Sequence, residues 1–352
     1  MSKSINHAVA TILFFDITKA DEQLFDNYLV LSLLLANKLK QIKAIAETKY
    51  ETLVLIDKPT LSQLKKINKW HLLTKAFDRV IVSENHEAFF LKIELWNIIP
   101  DYSSIVYLDS DCFIKTEKAL DLLFEESLDI SEDIVACNET TWPDMFNTGV
   151  FAINNKSALS YKELVEHSKT FNELCNSKSE EVELYDNLDQ GLLNYVFSNS
   201  WKNLSYVYNV QVRGDSKSNS NYSDPSETYF LFQEKGDSKT PEKTSPSETG
   251  YFTYANNALK QSKENKFLNK AMIVQFMDKP WESPMMDYVA PEYYSSFNKT
   301  KQDVCKQEEV KDTKAPETPK TPEKPKMEKK SAFEFPWIKY EDFPTANTRE
   351  WR

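Results

Sequence analysis

The chain has 352 residues, 41% of them hydrophobic, with 43 Lys and Arg against 54 Asp and Glu and a net charge of −11. That is enough apolar material for one sizeable core, and the acidic balance excludes a nucleic-acid backbone as a general partner. The five glycines (Gly149, Gly191, Gly214, Gly236 and Gly250) spell neither G-x-G-x-x-G nor G-x-x-x-x-G-K-[ST], which excludes dinucleotide and P-loop phosphate cradles.

In chain order, Val9 to Phe15 is an apolar run closed by Asp16. It is too short to span a bilayer and is followed by no small-residue cleavage site, so it reads as the first strand of a cytoplasmic protein. Asp21 to Ile42 has helical spacing, Thr52 to Ile56 (T-L-V-L-I) is a second strand, and Thr60 to Leu73 is a helix. Arg79 to Val82, Ala88 to Ile98 and Ser104 to Leu108 read as strand, helix and strand. Asp133 to Ala136 and Gly149 to Ile153 are further strands, and Lys156 to Asn176 and Asp189 to Phe197 further helices. Strands alternating with helices indicate a parallel sheet covered on both faces. Residues 213–249, rich in Ser, Asn, Asp, Glu and Thr, read as a mobile low-complexity insertion in a domain spanning 1–300. Residues 301–330, with Pro316, Pro319, Pro322 and Pro325 among many lysines and acids, read as a disordered linker. Beyond it, the aromatic stretch F-E-F-P-W-I-K-Y within 331–352 reads as a partner-docking peptide. The cysteines, Cys112, Cys137, Cys175 and Cys305, form no C-x-x-C pair and fit a reducing compartment.

The chemistry gathers around I-V-Y-L-D-S-D, residues 105–111. Period-two alternation sends Asp109 and Asp111 to one side at the carboxyl end of a strand, where open α/β sheets bind ligands. Two convergent carboxylates make an oxygen site suited to Mg2+ or Mn2+, although D-x-D strings are more often solvated loop acids or helix caps. Two further stretches carry glycine beside amides or acids: F-N-T-G-V-F at 146–151 and D-N-L-D-Q-G-L-L-N at 186–194. Q-F-M-D-K-P-W follows at 275–281.

In order and approximate spacing these stretches resemble the glycogenin-like members of glycosyltransferase family 8, in outline over residues 8–284, and the C-terminal F-P-W is similar to the synthase-docking tail of fungal glycogenins. The resemblance implies a GT-A type single domain: a mixed sheet flanked by helices, with a Rossmann-like nucleotide-binding half. It implies a retaining glucosyltransferase that uses UDP-glucose to glucosylate its own tyrosine and then extend an α-1,4-glucan that primes glycogen. Asp109 and Asp111 would hold Mn2+, with Mg2+ as the other candidate, and Gln275 falls at the position of the family's third metal ligand, a histidine. Lys279 would neutralise the departing UDP. Asn147, Asp189 and Gln190 would contact the sugar, with Asp186 toward the acceptor; Tyr28, Lys92, Ser110 and Thr148 complete the donor-binding set. Tyr251 and Tyr254 are the candidate acceptors, Phe335, Pro336 and Trp337 the glycogen-synthase contact, and a homodimer the implied assembly, with no nucleic acid or membrane involved. The chain departs from the family where Asn187 and Leu188 replace a G-G pair and Glu139 replaces an aspartate. The alternative reading is a weakened or inactive glycogenin paralogue that acts as a scaffold for glycogen synthase. Read without the resemblance, Asp186 and Asp189 are helix caps, Asn147 a turn residue, Lys92 a solvated helix lysine and Tyr28 a core aromatic.

Overall fold

The computed structural model of the chain describes residues 7–16, 18–84, 88–128, 131–139, 145–157, 159–182, 185, 188–214, 228–231, 251–254, 270–276 and 291–309. β1 (His7–Ile12) leads to α1 (Glu22–Lys43), which begins where the Asp21 side chain accepts from Leu24 N–H and ends with Lys40 and Lys43 at the negative pole of the helix. β2 (Tyr50–Ile56) is followed by α2 (Lys58–Lys66), capped by Asp57, and α3 (Trp70–Ala76). The single helix expected over 60–73 is thus two. Asn68 takes φ 55°, and the Asn68 and Lys69 N–H groups turn back to the carbonyls of Lys65 and Leu64, closing α2 as a left-handed C-cap that asparagine tolerates.

β3 (Arg79–Val82) precedes a 3₁₀ turn over Ala88–Ile93 that tightens the start of the helix expected there, leaving α4 at Glu94–Ile98. Then come β4 (Ser104–Leu108), β5 (Cys112–Ile114), α5 (Ala119–Leu128), β6 (Ile134–Asn138) and β7 (Phe146–Asn154). α6 (Tyr161–Asn176) starts at a reciprocal Ser160–Glu163 capping box, and α7 is Asp189–Phe197. β8 (Trp201–Asn203), β9 (Val210–Gly214), β10 (Thr228–Leu231), β11 (Tyr251–Tyr254), β12 (Ile273–Phe276) and α8 (Pro291–Glu309) complete the described elements. β10 lies inside the stretch read as an insertion, and α8 runs into the stretch read as a linker. On α8 the apolar residues Tyr293, Phe297 and Val304 are buried in the same cluster as residues of α1.

A seven-stranded sheet has the order β3-β2-β1-β4-β7-β6-β8, and a five-stranded sheet the order β11-β10-β9-β12-β5. β1 pairs in parallel with both β2 and β4, whereas β7 runs antiparallel to β4 and β6, so the sheet is mixed rather than all-parallel. Alternation along the central strands assigns each residue to a layer. Ala8, Ala10, Leu53, Leu55, Ile105 and Tyr107 face the core built with α4, α6 and α7. Val9, Val106 and Leu108 face the core built with α1 and α5, so both faces of the sheet are covered, as expected for this α/β class. Trp96 of α4 stacks on both Phe151 of β7 and Phe197 of α7, with ring centroids 6.5 and 5.2 Å away, pinning two helices to the sheet beside the carboxyl end of β4.

Candidate active site

β4 lies beside β1, where the chain's strand order reverses, so the carboxyl end of β4 sits at the switch point where open α/β sheets leave a crevice. Leu108 is the last residue of the strand, and Asp109 follows it on the Ile105 and Tyr107 face. The expected period-two continuation stops there. The Cys112 N–H donates to the Asp109 carbonyl at 3.0 Å, forming a tight turn through Ser110 and Asp111 that passes the chain from the first sheet to β5 of the second. Asp109 is therefore half-buried, while Ser110 and Asp111 are buried, Asp111 to 5% exposure.

Lys92 comes from the 3₁₀ turn, not from a solvated helix face. It is buried, with its Nζ 2.5 Å from Asp189 Oδ2 and 3.2 Å from Asp109 Oδ1, and it donates to the Thr148 carbonyl at 3.0 Å. The Tyr107 ring lies 4.8 Å below the ammonium, and the Tyr107 hydroxyl donates to Asp109 Oδ1 at 2.7 Å. Burial by itself would lower the Lys92 pKa, but the carboxylates of Asp109 and Asp189 outweigh it and hold it above the ordinary lysine value. Burial, reinforced by Asp109, likewise keeps Tyr107 protonated as a donor. Asp189 is not a helix cap. Leu188 occupies that position without a side-chain cap bond, and the Asp189 carboxylate faces Lys92 and the Thr148 hydroxyl, 3.1 Å away.

Asn147, Thr148 and Gly149 on β7 lie beside the carboxyl end of β4 in the same sheet, and the Asp109 N–H donates to the Gly149 carbonyl at 2.7 Å. Asn147 Nδ2 and Gln190 Nε2 both donate to Glu139 Oε2, at 2.8 and 3.1 Å, and Gln190 Oε1 accepts from Thr148 N–H. Asn147 Oδ1 accepts from Gly149 N–H and from Asn209 Nδ2, so the residue is a buried cross-brace instead of a turn residue.

Gln275 on β12 closes the site from the second sheet. Its Nε2 donates to Asp109 Oδ2 at 3.1 Å, while its buried Oε1 has no hydrogen-bond partner among the described residues. The carboxamide fills the space over Gly149, where an added Cβ would stand 2.1 Å from Nε2 and 2.3 Å from Cδ and Oε1. Glycine is required there by close approach.

The donor chemistry of Asp109, Asp111 and Gln275 fits a hard divalent cation: two carboxylates and a buried carboxamide oxygen without a partner among the described residues. Among the described residues no three His, Cys, Asp or Glu side chains form a ready-made cage, so the amide oxygen is the third donor of this set.

The structure thus brings together Lys92, Asp109, Ser110, Asp111, Asn147, Thr148, Asp189, Gln190 and Gln275. Tyr28, on α1, is half-buried and packs against the apolar cluster that includes Phe25, Leu29 and Phe276. The side chains of Tyr251 and Tyr254 are not described, and Asp186, Lys279, Phe335, Pro336 and Trp337 lie outside the described residues. Sequence reasoning missed Tyr107 as a site residue, although its position two before Asp109 on one strand face was the available signal. Among the described residues no helix is long and apolar enough to cross a membrane.

A family profile described as glycosyl transferase family 8 matches residues 26–232. Glycogenin-1 of Oryctolagus cuniculus is 35% identical over 125 residues, covering 34% of this chain and 31% of that protein. Glycogenin of Neurospora crassa is 34% identical over 125 residues, covering 36% of this chain and 15% of its own length. The matched stretch therefore spans less than a third of these relatives. Among solved structures, the galactosyltransferase LgtC in complex with donor and acceptor sugar analogues gives a TM-score of 0.49 at 13% identity, covering 83% of this chain and 95% of that one.

Proposed function

The chain belongs to glycosyl transferase family 8, and on that premise we propose that it is a self-glucosylating, retaining glucosyltransferase. It takes glucose from UDP-glucose, places the first unit on a tyrosine of its own chain, with Tyr251 and Tyr254 the candidates, and extends an α-1,4-glucan that primes glycogen synthesis. The observation that carries this reading is the Lys92 ammonium clamped between Asp109 and Asp189 at the switch-point crevice, with Thr148 and Gln190 alongside. Such a donor is cleaved when charge on its departing diphosphate is stabilised while the sugar carbon becomes cationic. Asp109, Asp111 and Gln275 would hold Mn2+ or Mg2+, whose charge would stabilise the departing diphosphate when bound. Lys92 orients the Asp189 carboxylate, Thr148 fixes one of its oxygens, and Gln190 is aligned by Thr148 and Glu139 beside the space for the sugar. Lys279 would add a second cation on the diphosphate side, and Asp186 would face the acceptor. Phe335, Pro336 and Trp337 would dock glycogen synthase, and the working unit would be a cytoplasmic homodimer.

Incubation of the full chain with UDP-glucose and Mn2+, followed by intact mass, tests the activity. Additions in hexose steps are expected, and Asp111→Asn should abolish them. No addition with any divalent cation would sink the reading. It would leave the scaffold alternative, which one observation favours: both oxygens of Asp109 are already engaged by protein donors. Capture of glycogen synthase with and without residues 331–352 tests the docking role, which equal capture by both forms would overturn.

A further inference from the structure

Tyr293 stands on α8, outside every motif that marks the site. Its ring stacks on Phe276, with centroids 5.7 Å apart and planes within 8°, and lies 4.9 Å from the ring of Phe113. These residues flank the metal-site candidates: Phe276 follows Gln275, Phe113 lies two past Asp111, and the Phe276 N–H donates to the Asp111 carbonyl at 3.3 Å. The two ring contacts fix the phenol at the junction of β5 and β12 behind the D-S-D turn. Tyr293 is 6% exposed, and its buried hydroxyl has no hydrogen-bond partner among the described residues. A buried, unsatisfied hydroxyl costs about 1–3 kcal/mol, and a phenylalanine would make the same ring contacts without that cost. Gln275 Oε1, likewise without a partner among the described residues, is a second buried oxygen atom on the second-sheet side of the turn. Burial and the neighbouring Asp111 carboxylate both push the phenol pKa up, so the hydroxyl remains a donor.

We propose that Tyr293 is a positioning residue for the D-S-D turn, its hydroxyl donating to the Asp111 carboxylate when that carboxylate turns to hold a divalent cation. The inference rests on the cation reading of the site given above. Carboxylates that ligate metals are themselves hydrogen-bonded, and loss of such an outer partner typically weakens metal binding about 10–100-fold. It also ties the last described helix to the chemistry, since α8 contributes a side chain to a site otherwise built from the two sheets and the helices after β3 and β7.

The test titrates the full chain with Mn2+ alone, following free Mn2+ by electron paramagnetic resonance. Tyr293→Phe keeps both ring contacts and should bind Mn2+ about tenfold more weakly, with an unchanged or higher Tm in metal-free buffer. Phe297→Leu, one turn further along α8, should lower Tm and leave Mn2+ affinity unchanged. Parent-like Mn2+ binding by Tyr293→Phe would overturn the proposal while leaving the cation site standing. So would a fall in its metal-free Tm, or equal weakening by Phe297→Leu, since either assigns Tyr293 to packing. A parent chain that takes up no Mn2+ would remove the cation reading itself and this inference with it.

Discussion

The two sides of the D-S-D turn differ in how completely their polar groups are paired. On the first-sheet side, Lys92, Tyr107, Thr148, Asp109 and Asp189 form a closed cluster of charges and donors. On the second-sheet side, Gln275 and Tyr293 each keep a buried oxygen without a partner among the described residues. A closed cluster is a scaffold that does not need a ligand to be stable, whereas buried oxygens without partners are costly until something else binds them. The comparison separates the half of the site that holds geometry from the half that is poised to change partners.

The sharpest way to break this comparison is Lys92→Met. It leaves two partly buried carboxylates facing each other without their cation, and removing one partner of a buried ion pair costs about 3–5 kcal/mol. Because Asp109 and Asp189 keep 29% and 23% of their side-chain surface exposed, the loss in urea unfolding is expected at the lower end, about 3 kcal/mol. A loss below about 1 kcal/mol would place the pair among ordinary surface contacts.

Gly149→Ala comes next, because the new Cβ collides with all three atoms of the Gln275 carboxamide. Overpacking of this kind costs about 1–3 kcal/mol. If the clash is with that amide alone, pairing the change with Gln275→Ala should recover most of the loss, and simple additivity in the double variant would show that the strain lies elsewhere.

Gln275→Glu sharpens the comparison from the open side. It sets a third carboxylate against Asp109, so the metal-free protein should lose about 1 kcal/mol to like-charge repulsion while Mn2+ binding tightens. A variant more stable than the parent without metal would contradict the placement of the Gln275 amide on Asp109.

The smallest expected effect is the response to pH. Lys92 has a folded pKa above its ordinary value of 10.5, so its contribution is fully present below that pH and is lost only as pH rises through the raised value. His7, at the far end of the sheet and 2.8 Å from Ser104 Oγ, is shifted the other way, because burial disfavours its charged form. Its contribution is present above its ordinary value of 6.5 and is lost as pH falls through the depressed folded value. Tm should therefore be level from about pH 7 to 10 and begin to fall below about 6.5, and His7→Gln should remove the start of that fall without altering the site. It should leave the later loss from carboxylates such as Asp78, where burial is outweighed by the partners Lys43 and Thr52, which hold the pKa low.

Much of the fold was legible in the sequence because it is encoded locally. The apolar runs at β1, β2, β3 and β4 and the helical periodicity of α1, α6 and α7 stand within a few residues of where they were read. The misreadings are places where one residue or one distant contact outweighed the pattern. Asn68 in the left-handed region splits one periodic stretch into α2 and α3. The turn at Ser110 and Asp111 stops an alternation that would otherwise have continued. β10 is the T-Y-F-L patch that interrupts the polar stretch, and its place in the second sheet comes from antiparallel pairing with β9 and β11.

The same division holds for the site. Two aspartates after a buried strand, amides and a glycine on a later strand, and a glutamine where a third ligand was expected are all visible in the linear chain. Which charges meet is settled by the folded arrangement. Lys92 reaches the Thr148 carbonyl across 56 residues, and Gln275 reaches Asp109 across 166. The fold likewise brought Tyr293 to the D-S-D turn, from outside every motif, and gave Tyr107 its role as a donor to Asp109. Local periodicity fixes the face of a strand on which a side chain emerges. The partner it finds there depends on which strands become neighbours, and that is set by burial of the whole core, beyond the reach of any short pattern.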